Sequence, residues 1–156
     1  MIVVGIDPGL ATVGFGVIRK DGQKISPISY GCIRTTDEKK APERLLEIYD
    51  EVKNLFEKYN PDAVSVEKLF FTKNVTSGMG VSEARGIIFL AAAQKSIPVF
   101  EYSPNRVKQA ITGSGRADKK QMQDMIMRLL GLDEIPRPDD AADGLSIALC
   151  HINLMG

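Results

Sequence analysis

The chain has 156 residues, 44% of them hydrophobic, and its 20 basic side chains balance 20 acidic ones. That size and composition suit a single globular domain over 1–156; the apolar run from Gly86 to Ala93 is far shorter than the roughly 18 residues of a bilayer span, and Asp7 falls where a secretory signal needs uninterrupted apolar residues. A cytoplasmic protein without membrane contact is expected, with Cys32 and Cys150 as reduced, largely buried thiols, because their separation fits neither a zinc site nor a disulfide framework.

Three strands come first, over 2–6, 13–19 and 24–33, separated by the turn pairs Pro8-Gly9 and Asp21-Gly22, so the fold opens as an antiparallel meander. A helix then starts near Pro42, carries Leu45, Leu46, Ile48, Tyr49, Val52, Leu55 and Phe56 on one stripe, and stops at Asn60-Pro61. The segment DAVSVE reads as a fourth strand, 77–95 as a helix and IPVFEY as a fifth strand. A short helix follows that Ser103 can cap, with Pro104 in its first turn. After GSGR comes an amphipathic helix with Met122, Met125, Ile126, Leu129 and Leu130 inward and Gly131 as its stop. A last helix over 139–153 presents Leu145, Ile147, Ala148, Leu149 and Ile152 to the sheet. Charge is unevenly spread: from Ser103 to Arg128 there are six basic residues (Arg106, Lys108, Arg116, Lys119, Lys120, Arg128) against two acidic ones.

The carboxylates stand at informative places. Asp7 ends the first strand and Glu67 ends the fourth, just before the irregular KLFFTKN. If those strands are neighbours, both acids emerge at one sheet edge, where open α/β sheets build their sites. Asp140 and Asp143, three apart at the start of the last helix, share one helix face, so four carboxylates could then converge. Taken one at a time, Asp7 could be a turn residue and Asp139, Asp140 and Asp143 mere caps, but Glu67 at the end of a buried strand is costly without a partner. Oxygen ligands with a single histidine in the chain favour Mg²⁺ or Mn²⁺ over zinc. Without ions, such a cluster should be poorly ordered or partly protonated. His151 reads as a structural residue.

In order along the whole chain, GIDPGLATVGFGVI, VEKLFFTKN, GVSEARG, EYSPNRVKQAITGSGRADKKQMQ and PDDAADGLSIALCH resemble the RuvC crossover junction endodeoxyribonucleases. The resemblance implies the ribonuclease H-like fold, α/β with a five-stranded mixed sheet flanked by helices. It implies a homodimer that cuts two opposing strands of a four-way (Holliday) junction with two Mg²⁺ per subunit, for which Mn²⁺ would substitute, and a branch-migration motor of the RuvA–RuvB type as partner. By the same resemblance Asp7, Glu67, Asp140 and Asp143 are the metal ligands, with Asp7 as the candidate bridge between ions. Asp139 precedes the matching DAAD and is left as a cap. Phe70 and Phe71 become the wedge at the junction centre, Lys73 and Asn74 lie near the DNA backbone, and Lys108, Arg116 and Lys119 contact DNA, with Lys119 close enough to assist catalysis.

The residue types fit this independently. Exposed Phe beside Lys suits stacking on unpaired bases, although both aromatics could equally be core. Gly113 and Gly115 allow a phosphate close to the backbone, and the helix after Arg116 would offer its N-terminus to it. The helix containing GVSEARGIIFLAAAQ is apolar around its whole circumference, which calls for a second covering surface, either another helix of the same chain or a second copy. Two rival classes remain: actin-like or sugar-kinase phosphotransferases, whose first phosphate-binding hairpin GIDPG also resembles, and a ribonuclease H-like protein acting on RNA or serving only as a junction-binding module. The first would need a second domain and phosphate loop, and the second has less use for LFFTKN.

Overall fold

The computed structural model describes residues 1–69 and 75–155. Its elements run β1 (Ile2–Asp7), β2 (Thr12–Asp21), β3 (Lys24–Arg34), α1 (Ala41–Tyr59), β4 (Ala63–Glu67), α2 (Val75–Gln94), β5 (Val99–Tyr102), α3 (Pro104–Thr112), α4 (Lys119–Leu130) and α5 (Asp139–Met155). They form a mixed five-stranded sheet in the order β3-β2-β1-β4-β5. The meander is antiparallel, while β1–β4 and β4–β5 are parallel. Every expected element is present; α2 begins two residues earlier than its sequence pattern suggested, and β5 is confined to the last four residues of IPVFEY.

The central strand explains why its sequence is apolar without interruption. Val4 and Ile6 face one layer, with Ile48, Val52 and Phe56 of α1 and Ala84 and Ile88 of α2. Val3 faces the other, with Val107, Ile111, Ile126, Leu130 and most of the apolar side chains of α5. A strand covered on both sides has no solvent face to make polar. Two helical stripes are narrower than their spacing implied. Leu46 of α1 is 59% exposed and Leu129 of α4 is 37% exposed, because each sits at the rim of its stripe where the covered face ends. Cys150 is buried and Cys32 half-buried, both free thiols.

Helix α5 lies against the sheet almost backbone to backbone. A methyl group built on Gly5 would come 2.1 Å from the Gly144 carbonyl oxygen, one on Gly14 1.9 Å from the Asp140 carbonyl oxygen, and one on Gly144 2.4 Å from the Phe15 carbonyl carbon. Side chains at these positions would lift the helix off the strands. On the same face, the buried Ser65 hydroxyl in β4 donates to the Ile147 carbonyl at 2.9 Å and fixes the helix along its axis.

Candidate metal centre and nucleic-acid cleft

The parallel pairing of β1 with β4 aligns Ile6 with Val66, so Asp7 and Glu67 leave the sheet at the same end, one residue further on. Asp7 also pairs with Gly14 across the antiparallel side, and the bare Gly14 admits the first turn of α5 directly over it. That contact brings in the third segment. One carboxylate oxygen each from Asp7, Asp140 and Asp143 lies within 4.8 Å of the others. Glu67 joins them through a hydrogen bond with Asp7.

Crowding four acids at a half-buried edge has the expected electrostatic result. The Asp7 carboxyl is pushed from the usual 3.8 to about 8, first by burial, then by the charges of Glu67, Asp143 and Asp140, with its hydrogen bond to Glu67 adding to the effect. Glu67 and Asp143 are also raised, mainly by burial; each gains back part of the cost by accepting from Asp7, and Lys108 and Lys119 respectively help to hold them charged. Burial and mutual repulsion thus favour a proton within the cluster, and Asp7 is the acid raised furthest. A cluster arranged this way near neutral pH favours added cationic charge beyond what Lys108 and Lys119 supply among the described residues.

Beside the acids opens a cleft of about 370 Å³ between α3, α4 and the start of α5, with Glu67, Asp143, Lys108 and Lys119 on its walls. Lys119 is exposed and its ammonium is held by the Asp139 carboxylate, which Gln123 also approaches at 3.5 Å. This corrects the reading of Asp139 as a cap, since its carboxylate reaches across to α4. A second correction concerns the N-terminus of α4. Asp118 closes it with a capping box, accepting from Gln121 N–H at 2.8 Å while the Gln121 side chain accepts from Asp118 N–H at 2.9 Å. A carboxylate already occupies the position offered to a phosphate, and the cations on the cleft wall are Lys108 and Lys119. Arg116 is exposed in the loop before α4. Phe70, Phe71, Lys73 and Asn74 lie outside the described residues.

His151 is structural, as expected: it is 3% exposed, its Nδ1 lies 2.7 Å from the Tyr102 hydroxyl, its ring meets Phe100, and burial lowers its pKa. The residue that sequence reasoning passed over is Arg85, buried in α2, which donates to the main-chain carbonyl of Glu67. Its signal in the sequence was a lone arginine directly before the apolar run 86–93 of the same helix.

With this geometry in place, the sequence matches the family described as "Crossover junction endodeoxyribonuclease RuvC" over residues 3–151. The chain belongs to the RuvC family. It is 50% identical to the crossover junction endodeoxyribonuclease RuvC of Desulfitobacterium hafniense over 158 residues, covering 99% of this chain and 96% of that protein. With RuvC of Thermotoga maritima it shares 53% identity over 149 residues, 96% of this chain and 89% of the relative. The structure of Thermus thermophilus RuvC in complex with a Holliday junction substrate superposes with a TM-score of 0.94 at 37% identity, covering 99% of this chain and 94% of that one. The mixed sheet and its flanking helices are therefore the ribonuclease H-like fold of RuvC.

Proposed function

We propose that this chain is a metal-dependent endonuclease that resolves four-way DNA junctions by paired, symmetric cuts, serving homologous recombination and DNA repair. The observation that carries the proposal is the convergence of Asp7, Asp140 and Asp143 to within 4.8 Å, with Glu67 bonded to Asp7, in a member of the RuvC family. The donor set fits Mg²⁺, or Mn²⁺ in its place, because it is all oxygen, negatively charged and compact. Two such ions, when bound, would supply an activated water and charge stabilisation at the scissile phosphate. Asp7, Glu67, Asp140 and Asp143 would hold the ions, and Asp7 would have to give up its proton to do so. Lys108 fixes the phosphate from α3. Lys119 exchanges Asp139 for the DNA, a modest loss because the pair is exposed. Phe70 and Phe71 as a wedge, Lys73 and Asn74 near the backbone, Arg116 as a DNA contact and a branch-migration motor as partner are proposed from family resemblance. Among the described residues no helix is long and apolar enough to cross a membrane, in keeping with a proposed cytoplasmic location.

A synthetic four-way junction tests the activity. Paired nicks at symmetric positions are expected in Mg²⁺, none in EDTA, and binding without cutting in Ca²⁺, whose longer and looser coordination misplaces the attacking water. Brisk cutting in Ca²⁺ or EDTA, or preference for an RNA–DNA hybrid over the junction, would sink the proposal.

The symmetry of the cuts requires two copies. Helix α2 buries Ala84, Ile88, Ala91 and Ala92 against α1 and the sheet, yet leaves Met79 57% and Leu90 49% exposed on the far side, with Gly86 bare between them. A two-fold contact between copies of this helix covers that face and lets the backbones approach at Gly86. Wild-type protein is expected to sediment as a dimer at micromolar concentration. Leu90→Glu is expected to give folded monomers that nick a junction without pairing the incisions. A Leu90→Glu protein that still sediments as the dimer and cuts both strands together would rule this interface out.

A further inference from the structure

We infer that Arg85 is a positioning residue for Glu67, setting from α2 the direction in which that carboxylate leaves β4. The inference rests on Glu67 being a metal ligand. Arg85 is 8% exposed, and its guanidinium uses both edges. One nitrogen donates to the main-chain carbonyl of Glu67, the other to the Glu101 carboxylate at 2.6 Å, while the guanidinium carbon stands 5.0 Å from the centre of the Phe89 ring. Val66 and Glu67 pair with Glu101 and Tyr102, and Lys68 N–H donates to the Tyr102 carbonyl at 2.8 Å, which closes the β4–β5 ladder. The guanidinium thus clasps the last pairs of two parallel strands at the point where β4 ends.

Fixing the Glu67 carbonyl fixes the peptide plane that follows it, and with it the backbone angle from which the Glu67 side chain projects toward Asp7. Burying a cation against an apolar helix face costs free energy that a methionine or leucine of similar volume would not. The planar fork meets the main-chain oxygen and the carboxylate from two separate nitrogens held in one plane, whereas a lysine ammonium has a single nitrogen and no fixed fork. The function that gains from this geometry is the placement of Glu67, since the sheet edge here is otherwise closed by ordinary ladder bonds.

The test uses the full-length protein and Mn²⁺ alone, without DNA. Arg85→Lys is expected to melt close to wild type but to bind Mn²⁺ about 10-fold more weakly, the usual cost of losing a partner that orients a ligand. On a junction, the Mg²⁺ concentration for half-maximal cutting should rise by a similar factor while the rate at saturating Mg²⁺ recovers. Glu101→Gln leaves an acceptor but removes the charge from one anchor, on a half-exposed side chain, and should shift ion affinity in the same direction by less. A purely structural Arg85 would lower the melting temperature and leave ion affinity alone. Wild-type Mn²⁺ affinity in both variants would overturn the inference. Asp7→Asn is run alongside: if it too binds Mn²⁺ like wild type, the ions do not sit among these carboxylates and the premise itself fails.

Discussion

Asp7→Asn is expected to abolish junction cleavage and, in ion-free buffer at pH 8, to raise the melting temperature by roughly 5–15 °C. The two effects share one cause. In the folded protein the Asp7 carboxyl titrates near 8 instead of 3.8, because it is buried among Glu67, Asp143 and Asp140. Between those values the folded chain binds a proton that the unfolded chain has released, so stability falls as pH rises through the window. Four pH units at about 1.4 kcal/mol each bound the effect near ~6 kcal/mol. Water in the adjoining cleft shields part of it, leaving roughly 2–4 kcal/mol. Asparagine keeps the size and has no proton to lose, so its advantage should be full near pH 8 and vanish near pH 4.

Divalent ions should reverse the order. Wild-type protein should gain stability with added Mg²⁺ as Asp7 ionises against the cation, and Asp7→Asn should gain much less. Junction binding in EDTA should be retained or tightened in the variant, since one repulsive carboxylate is gone. Melting curves of both proteins between pH 4 and pH 8, with and without Mg²⁺, check all of this. An Asp7→Asn protein that melts no higher than wild type in ion-free buffer at pH 8, or that cuts at a near wild-type rate, would remove Asp7 from the centre of the site.

Much of this was legible in the sequence because it depends on strand ends. Asp7 and Glu67 are each the last residue of a buried strand, and the parallel pairing of β1 with β4, reached through β2, β3 and α1, brings those ends together. Asp140 and Asp143 needed only helical spacing. The features that escaped depend on contacts between distant elements. Lys119 and Asp139 are 20 residues apart, and nothing local couples them. The capping box at Asp118 and Gln121, in contrast, was written in DKKQ, and weighing the basic residues alone obscured it. Leu46 and Leu129 fell on apolar stripes by spacing, but a stripe's width is set by the surface opposite, which spacing does not contain. The apolar circumference of α2 was visible, whereas the use of Arg85 within it was not, because a main-chain acceptor leaves no mark in a sequence.

Gly14→Ala is the variant in which those distant contacts should be felt most. Gly14 stands opposite Asp7 in the β1–β2 pair, and the methyl group would meet the Asp140 carbonyl oxygen at 1.9 Å and its carbonyl carbon at 2.5 Å. Both are backbone atoms of α5, so no side-chain rotation relieves the overlap and the first turn of the helix must move outward. The loss of stability should be about 1–3 kcal/mol, the usual cost of overpacking, because Gly5 and Gly16 continue to seat the rest of the helix. Cleavage should fall much further, by about 100-fold, since an outward shift of about 1 Å separates Asp140 and Asp143 from Asp7 and spoils a geometry the reaction needs. Gly22→Ala is the control. Its φ of +60° makes alanine strained there too, but no atom lies within 4 Å and the β2–β3 turn is at the opposite end of β2 from Asp7. It should lose about 1 kcal/mol of stability and keep its activity per folded molecule. Cutting rates measured where all three proteins are fully folded separate the two cases: a Gly14→Ala enzyme within twofold of wild type would mean that the carboxylates on α5 do not have to meet Asp7 for the reaction to proceed.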